Sequence, residues 1–448
     1  MNMHKFTLSM AGLLLAAVAT VHADEISLTT SKSSGDDLVL ALNTGVSADL
    51  TWGSGDSETI LFDGAPTTVT VKDASLSISS SSTITLLYVP SDELTALDVS
   101  EATGLKKLIC PDNSLTTLDL TANTALVELD CQANNLSTLT LTKCTELEEL
   151  NCAQNDLSSL TYSTSAASSL KTIVCNDNGV SVLKSYSALS SLQTLWANNN
   201  AFSTLTLKKS PDLRQLCMSS NGLTSLTLGA VDNLTDLWIE NNSLTELDLT
   251  SGAASLVAVS VNDNDLDTIA WDASCKSTLM YFYGQNNNLF FSSFPTATTQ
   301  LTGVYTPQSP YYITDAVEIG TLLNWGGYLS ADGFNSSYSK TFVLVNADGD
   351  TLQSGSSNDY LSIASTRWRF YTEQEAVTMY VTGTDYGVTL AIEPFAVVSD
   401  LEEYLAGVSG VVVDSATETG IYYDLQGRSV SKPGKGIYII NGKKVFIN

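Results

Sequence analysis

A leucine or isoleucine opens a new unit every 21 to 23 residues along the middle of the chain, at Ile84, Leu105, Leu126, Leu147, Leu170, Leu192, Leu213, Leu234, Leu256 and Leu279. Each unit follows the pattern L-x-x-L-x-C/φ-x-x-N-x-L-x-x-L-x-L, where φ is any apolar residue. A unit this short cannot bury its own apolar face, so neighbouring units must stack and share one elongated core. The alternation Leu129, Asp130, Cys131 sends every second side chain inward, as a strand requires. One such strand per unit predicts a parallel sheet, and ten strands at about 4.8 Å predict a face roughly 43 Å long.

The ninth position holds Asn113, Asn134, Asn155, Asn178, Asn200, Asn221, Asn242, Asn264 and Asn287, with Asp92 in the first unit. Where the chain turns off the sheet its backbone groups lose their strand partners, and an amide can both donate to and accept from them. The asparagine column therefore reads as architecture. Cys110, Cys131, Cys152 and Cys175 all fall at position six, where other units carry Val89, Ala197, Met218, Ile239, Val261 and Gly284. A slot that accepts these residues is a buried packing position, in which free cysteine behaves as a small hydrophobe. Disulfides between stacked strands and a metal site stay open as alternatives; with seven cysteines, at least one is unpaired within a monomer.

Units such as "LVELDCQANNLSTLTLTKCTE" resemble the short leucine-rich repeats common in surface proteins of Bacteroidetes and, more distantly, internalin-type repeats. The resemblance covers residues 84–294 and implies a surface recognition protein. By family such a domain is an α/β-class solenoid, a leucine-rich-repeat horseshoe, here expected to be strand-rich and nearly helix-free, with small β-sandwich modules on its flanks.

Residues 1–23 read as a cleaved secretory signal peptide: a short polar start, an apolar run from Phe6 to Thr20, and Val21 and Ala23 ahead of the cut. No later stretch reaches the roughly 18 apolar residues of a membrane-spanning helix. Cleavage would remove both histidines and Lys5, leaving 48 acidic against 19 basic residues. Such a charge repels nucleic acid. Without histidine, Ser-His-Asp and Cys-His catalysis and His-containing zinc sites are excluded. No nucleophile motif or recognisable carboxylate pair points to an enzyme, although a carboxylate-only glycosidase stays open on residue types. No cofactor is expected.

Residues 24–83 alternate as short strands, "ISLTT", "LVLAL", "ADLTW", "TVTVK" and "LSISS", and form an expected β cap, since a solenoid exposes core at its ends. Residues 295–396 read as strands again, an expected Ig-like β-sandwich, within which "NADGD" is a hairpin turn. Residues 397–420 read as a linker. The ending 421–448 carries Asn441-Gly442 between "IYII" and "KKVFI", a strong hairpin signal. It resembles the "YDLxGRxV … GIYIxxGKKV" C-terminal motif of Bacteroidetes cell-surface and type IX-secreted proteins, matched by Tyr423, Asp424, Leu425, Gly427, Arg428, Val430, Gly436, Ile437, Tyr438, Ile439, Gly442, Lys443, Lys444 and Val445. These resemblances imply secretion, or the outer-membrane cell surface of a diderm bacterium. A terminal hairpin that only completes a small β module is the alternative.

Positions three, five and seven of each strand face away from the core. Trp196, Trp238, Tyr281 and Tyr283 occupy them over the last five strands, beside Asn198, Asp236, Glu240 and Gln285. Large exposed aromatics are enriched where proteins bind one another. An acidic group, Glu128, Asp130 and Glu149, could select a basic partner. The expected function is recognition of another protein, in adhesion or host interaction, through this concave sheet. Glycan binding on the aromatic row is the alternative, and a terminal module folded over the aromatic end is a third possibility.

Overall fold

The computed structural model describes residues 23–183, 189–289, 293–295, 301–309 and 340–352, together with 316–318, 323–324, 360–362, 367–370, 374–383, 388–391, 394–398, 411–413, 422–423, 429–430, 436–440 and 443–447. The expected signal peptide falls almost wholly outside them. The chain divides into two compact units, 1–201 and 202–448. Each is built in part from turns of a strand-rich, nearly helix-free leucine-rich-repeat solenoid.

In the first unit, the strands Ser57–Leu61, Ser47–Trp52, Ser75–Ser80, Asp24–Thr30 and Leu94–Asp98 form one antiparallel sheet. "SADLTW" alternates exposed and buried along its length, and Leu50 and Trp52 are almost fully buried, as a half-buried strand requires. The strand Asp37–Leu42 pairs antiparallel with Thr67–Thr70 on one side. On the other it pairs antiparallel with Leu86–Tyr88, the first repeat strand. From there the sheet is parallel through Lys107–Ile109, Glu128–Asp130, Glu149–Asn151, Thr172–Val174 and Thr194–Trp196. Each residue lies opposite the same repeat position of the next strand, so Leu87, Leu108, Leu129, Leu150, Ile173 and Leu195 stack as one apolar row.

In the second unit, Gln215–Cys217, Asp236–Trp238, Ala258–Ser260 and Tyr281–Tyr283 pair in the same way. Here the structure goes beyond the repeat count: Thr302–Val304 adds a further parallel strand beside Tyr281–Tyr283, past the expected limit at 294. Opposite the main sheet, the L-x-L residues form short parallel pairs, among them Leu139–Leu141 with Leu160–Tyr162 and Glu246–Leu249 with Thr268–Trp271. The helices Thr164–Ser169 and Cys275–Thr278 lie in the two units that are 23 residues long. The extra residues are taken up as a helical turn. Ser163 caps the first of them, its hydroxyl accepting from the Ala166 N–H at 3.2 Å.

The position-nine asparagines are buried or nearly so and bridge successive turns. Asn134 Nδ2 donates to the carbonyls of Cys110 (3.0 Å), Cys131 (3.1 Å) and Gln132 (3.2 Å), and Oδ1 accepts from the Leu115 N–H (3.0 Å). Asn155, Asn178, Asn200, Asn242, Asn264 and Asn287 repeat the donor arrangement. The residue just before each of these asparagines is left-handed, with φ between 52° and 56° from Asp112 to Asn286. Six of the nine are Asn or Asp, the residues that tolerate this region best after glycine.

Beyond the repeats, Lys340–Val345 pairs with Gln374–Gly383, which also pairs with Val388–Ala391 and Phe395–Val398. "NADGD" is the hairpin turn between Lys340–Val345 and Thr351–Leu352, with Asn346 Oδ1 accepting from the Asp348 and Asp350 N–H groups and Gly349 at φ 87°. Gly436–Ile440 and Lys443–Ile447 pair antiparallel with Ile440 opposite Lys443, the register of a two-residue hairpin; Asn441 and Gly442 lie outside the described residues. The linker expectation needs one correction: Val411–Val413 is a strand, paired parallel with Lys443–Ile447.

Substituting Asn155 by Ala should destabilise the chain by about 3 kcal/mol or more, because three carbonyls and the Leu136 N–H lose a buried partner together. Asn155→Asp should be worse, since a carboxylate meets those carbonyls without a proton to give. Ala133→Gly should stabilise slightly by relieving the left-handed backbone. Urea melts of the three variants decide the point, and equal midpoints for wild type and Asn155→Ala would remove the ladder from the energetics.

Candidate functional site

The strands carry positions three and five away from the core because positions four and six are committed to it. In the first unit this face is acidic but partly answered. Lys107 and Glu128 occupy position three of neighbouring strands and form an ion pair, Nζ to Oε2 at 2.5 Å. Glu128 holds the Lys107 amine above its ordinary range. Burial pushes the Asp130 carboxyl up; hydrogen bonds from the Gln132 N–H and the Asn151 side chain oppose this, and Asp112 and Glu128 reinforce it. Asn151 also donates to Gln132 Oε1 at 2.9 Å. Glu149 is exposed, in register with Glu128. Of the acidic group, then, Glu128 already has its cation and Asp130 is half-buried in a hydrogen-bonded setting. Trp196 stands 40% exposed, in register with Val174, and Asn198 is half-buried with its N–H donated to Asn176 Oδ1 at 2.8 Å.

The second unit brings together most of the residues singled out from the sequence. Trp238, Ser260 and Tyr283 sit at position five of three successive strands. The two rings lean toward each other over the serine, with centroids 6.5 Å apart and planes at 29°. Ser260 between them is buried, while Tyr281, at position three, is 43% exposed. Asp236 and Glu240 flank Trp238 at positions three and seven, both half-buried. Asp236 Oδ2 accepts from the Thr235 hydroxyl at 2.7 Å. Glu240 Oε2 and Gln285 Oε1 are buried side-chain oxygens without a hydrogen-bond partner among the described residues. Asn262 lies between them in repeat register but serves neither: its Oδ1 accepts from Ser260 and its Nδ2 donates to Asp263.

Cys217, at position five beside Trp238, registers the local field. Its thiol is pushed up to about 12 by burial first and then by Glu240 and Asp236. An arrangement of this kind can stack planar groups and accept hydrogen bonds. Lys107, Gln132, Ser260 and Asn262 escape a reading that looks for aromatics and acids alone, and the available signal was their shared repeat position on adjacent units.

The position-six cysteines Cys110, Cys131, Cys152 and Cys175 are fully buried, and all seven cysteines are free thiols. Burial pushes Cys110 and Cys175 up to about 12 and Cys131 and Cys152 well above the usual thiol range. Cys144 and Cys275 fill a second buried slot late in the unit, which Asn123 and Val231 occupy in other units. Among the described residues, no three His, Cys, Asp or Glu side chains are grouped to hold a metal, and no helix is long and apolar enough to cross a membrane.

No family model matches the sequence, and no curated protein matches it. Among solved structures, the chain is similar to the functional domain of InlJ from Listeria monocytogenes, which includes a cysteine ladder, at 19% identity over 74% of this chain and 94% of that one, with a TM-score of 0.35. It is similar to a leucine-rich-repeat protein of Leptospira interrogans at 20% identity, over 50% of this chain and 61% of that one, TM-score 0.40. It is also similar to YopM from Yersinia enterocolitica at 21% identity, over 47% of this chain and 48% of that one, TM-score 0.37. The fold assignment rests on the chain's own strand register and asparagine ladder.

At pH 8 a maleimide should label the folded protein at Cys217 alone, and slowly, because its thiol titrates near 12 and stays protonated until the pH rises toward that value. The other six should react only on unfolding. Rapid labelling of Cys131 in the folded state would contradict its burial. Cys131→Asp should cost several kcal/mol, about 3 or more, as a buried unpaired charge does.

Proposed function

We propose that this is a non-enzymatic recognition protein, secreted or held at the cell surface, that binds another protein through the outward face of its parallel repeat sheet. The observation that carries the reading is the Trp238 and Tyr283 ring pair on that face, with Tyr281 exposed beside it. Ordered aromatics at a rigid sheet surface lose little freedom on binding and contribute large contact area. The strand backbone beneath them is fixed by its neighbours, so the face is organised before a partner arrives.

The resemblance of 421–448 to the C-terminal motif of surface and type IX-secreted Bacteroidetes proteins supports export and display. The pairing of Val411–Val413 with Lys443–Ile447 extends that terminal module upstream, so a clean truncation starts before 411. A chain ending at residue 398 should keep the melting transition of the repeats and lose normal surface display. Display unchanged by that truncation would end the sorting proposal.

Glycan binding is the second reading, favoured by the same ring pair, because sugar faces also stack on aromatics. The two are separated by a protein pull-down and a glycan array run side by side on wild type and Trp238→Ala. Protein binding should weaken by about 2 kcal/mol or more in the variant. Its melting temperature should move little, because Trp238 is half-buried against one neighbouring ring and lies outside the core. A large fall in stability, of about 3 to 5 kcal/mol, would mark Trp238 as a core residue instead.

A further inference from the structure

On the reading of this face as a protein-binding surface, we infer that Trp238, Tyr283, Glu240 and Gln285 form a subsite for the guanidinium group of an arginine side chain on the partner. Among the described residues, Glu240 and Gln285 each hold a buried oxygen with no donor, and the side chain nearest in register, Asn262, is turned away to Ser260 and Asp263. Unmet buried acceptors are costly, so the site calls for a group rich in N–H donors. The second need is positive charge. Asp236 and Glu240 flank Trp238, and neither is in an ion pair among the described residues, whereas in the first unit Glu128 and Glu148 are paired with Lys107 and Lys171.

The third need is a planar, weakly hydrated surface to lie against the indole and phenol rings. Guanidinium meets all three: it carries five donors and no acceptor, is always charged, and stacks on aromatic faces. An ammonium brings charge and donors but no plane. A sugar brings a stacking face and hydroxyl donors but no positive charge for the carboxylates. Glu240 and Gln285 are half-buried overall and their terminal torsions are soft, so their oxygens can turn to an incoming donor.

The test is an NMR titration of the full chain in 150 mM salt, following the Trp238 indole N–H resonance, which is identified by its loss in Trp238→Phe. The probes are acetyl-Gly-Arg-Gly-amide and its lysine and citrulline counterparts. The arginine peptide should shift the resonance saturably, with a Kd of about 1 mM. The lysine peptide should bind about threefold or more weakly, and the citrulline peptide should give no saturable shift. Glu240→Gln should weaken arginine binding by about fivefold or more. Glu246→Gln, an exposed acid on the opposite row of strands, should leave it unchanged and so excludes a general attraction to an acidic chain. Equal binding of citrulline or lysine, undiminished binding in Glu240→Gln, or no saturable shift at all would overturn the subsite. If that happens while Trp238→Ala still abolishes capture of the partner protein, the recognition face stands and only its cation chemistry falls. Partner capture that survives Trp238→Ala instead removes the recognition face, whatever the peptides do.

Discussion

Each position-nine amide closes hydrogen bonds that no strand can provide. At the point where the chain leaves the sheet, the carbonyl at position six has no ladder partner, the one at position seven receives a single backbone N–H from position eight of the preceding turn, as Gln132 does from Asp112, and the position-six carbonyl of the preceding turn faces the same gap. One Nδ2 meets all three, and Oδ1 receives an N–H from the preceding turn, as at Asn134 and Leu115. A hydroxyl could not donate twice, and a carboxylate could not donate at all. Every bond that reaches out of its own turn goes to the adjacent one. Stability therefore propagates as a chain of neighbour terms, and each turn sets the height and register of the next.

The ends of the ladder show the same requirement under altered conditions. At the first turn there is no earlier repeat to receive a donated proton, and the residue becomes Asp92. Its carboxylate accepts from Lys32 Nζ at 2.7 Å, in the connection after Asp24–Thr30, and from the Val39 N–H at 3.0 Å, on the strand Asp37–Leu42. It is almost fully buried, and burial pushes its carboxyl up, against the pull of Lys32 and Val39. At the extra turn in the second unit, Gln308 takes over the role. Its Nε2 donates to the Gly284 carbonyl at 2.7 Å and to the Tyr305 carbonyl, and its Oε1 accepts from the Leu289 N–H at 2.8 Å. The core there changes to aromatic packing of Phe282 with Trp271, Phe294 and Tyr305. Gly284 replaces the apolar residue of position six because a Cβ would lie 2.5 Å from the Phe282 ring.

What could be read from the sequence follows from this logic. Leucines and asparagines at fixed positions are imposed by burial and by the ladder, so the repeat, its strands and the fate of the cysteines were legible. The turn ending in Gln308 was not, because a glutamine can serve the same bonds while breaking the letter pattern. The left-handed residue at position eight was hidden for a similar reason: Ala133, Gln154 and Ser220 accept that conformation where six other units carry Asn or Asp. The outward face was legible as a list and not as an arrangement. That Glu128 is paired follows from Lys107 at the same position one unit earlier. That Glu240 and Gln285 are left unmet depends on which way Asn262 turns, and no spacing records a rotamer.

Inward and outward positions thus answer to different constraints on the same three-residue strand. Leu237 is fixed by the row it stacks in, and Asn242 by the carbonyls it must reach. Trp238 is held by neither, and its ring rests on Tyr283 across an intervening serine. A larger side chain than Ser260 at that point would separate the rings. The small residue is therefore part of the aromatic feature, although nothing in its own chemistry announces it. Because the backbone under these side chains is clamped from behind, substitutions at positions three, five and seven can change what the face binds without disturbing what holds it flat.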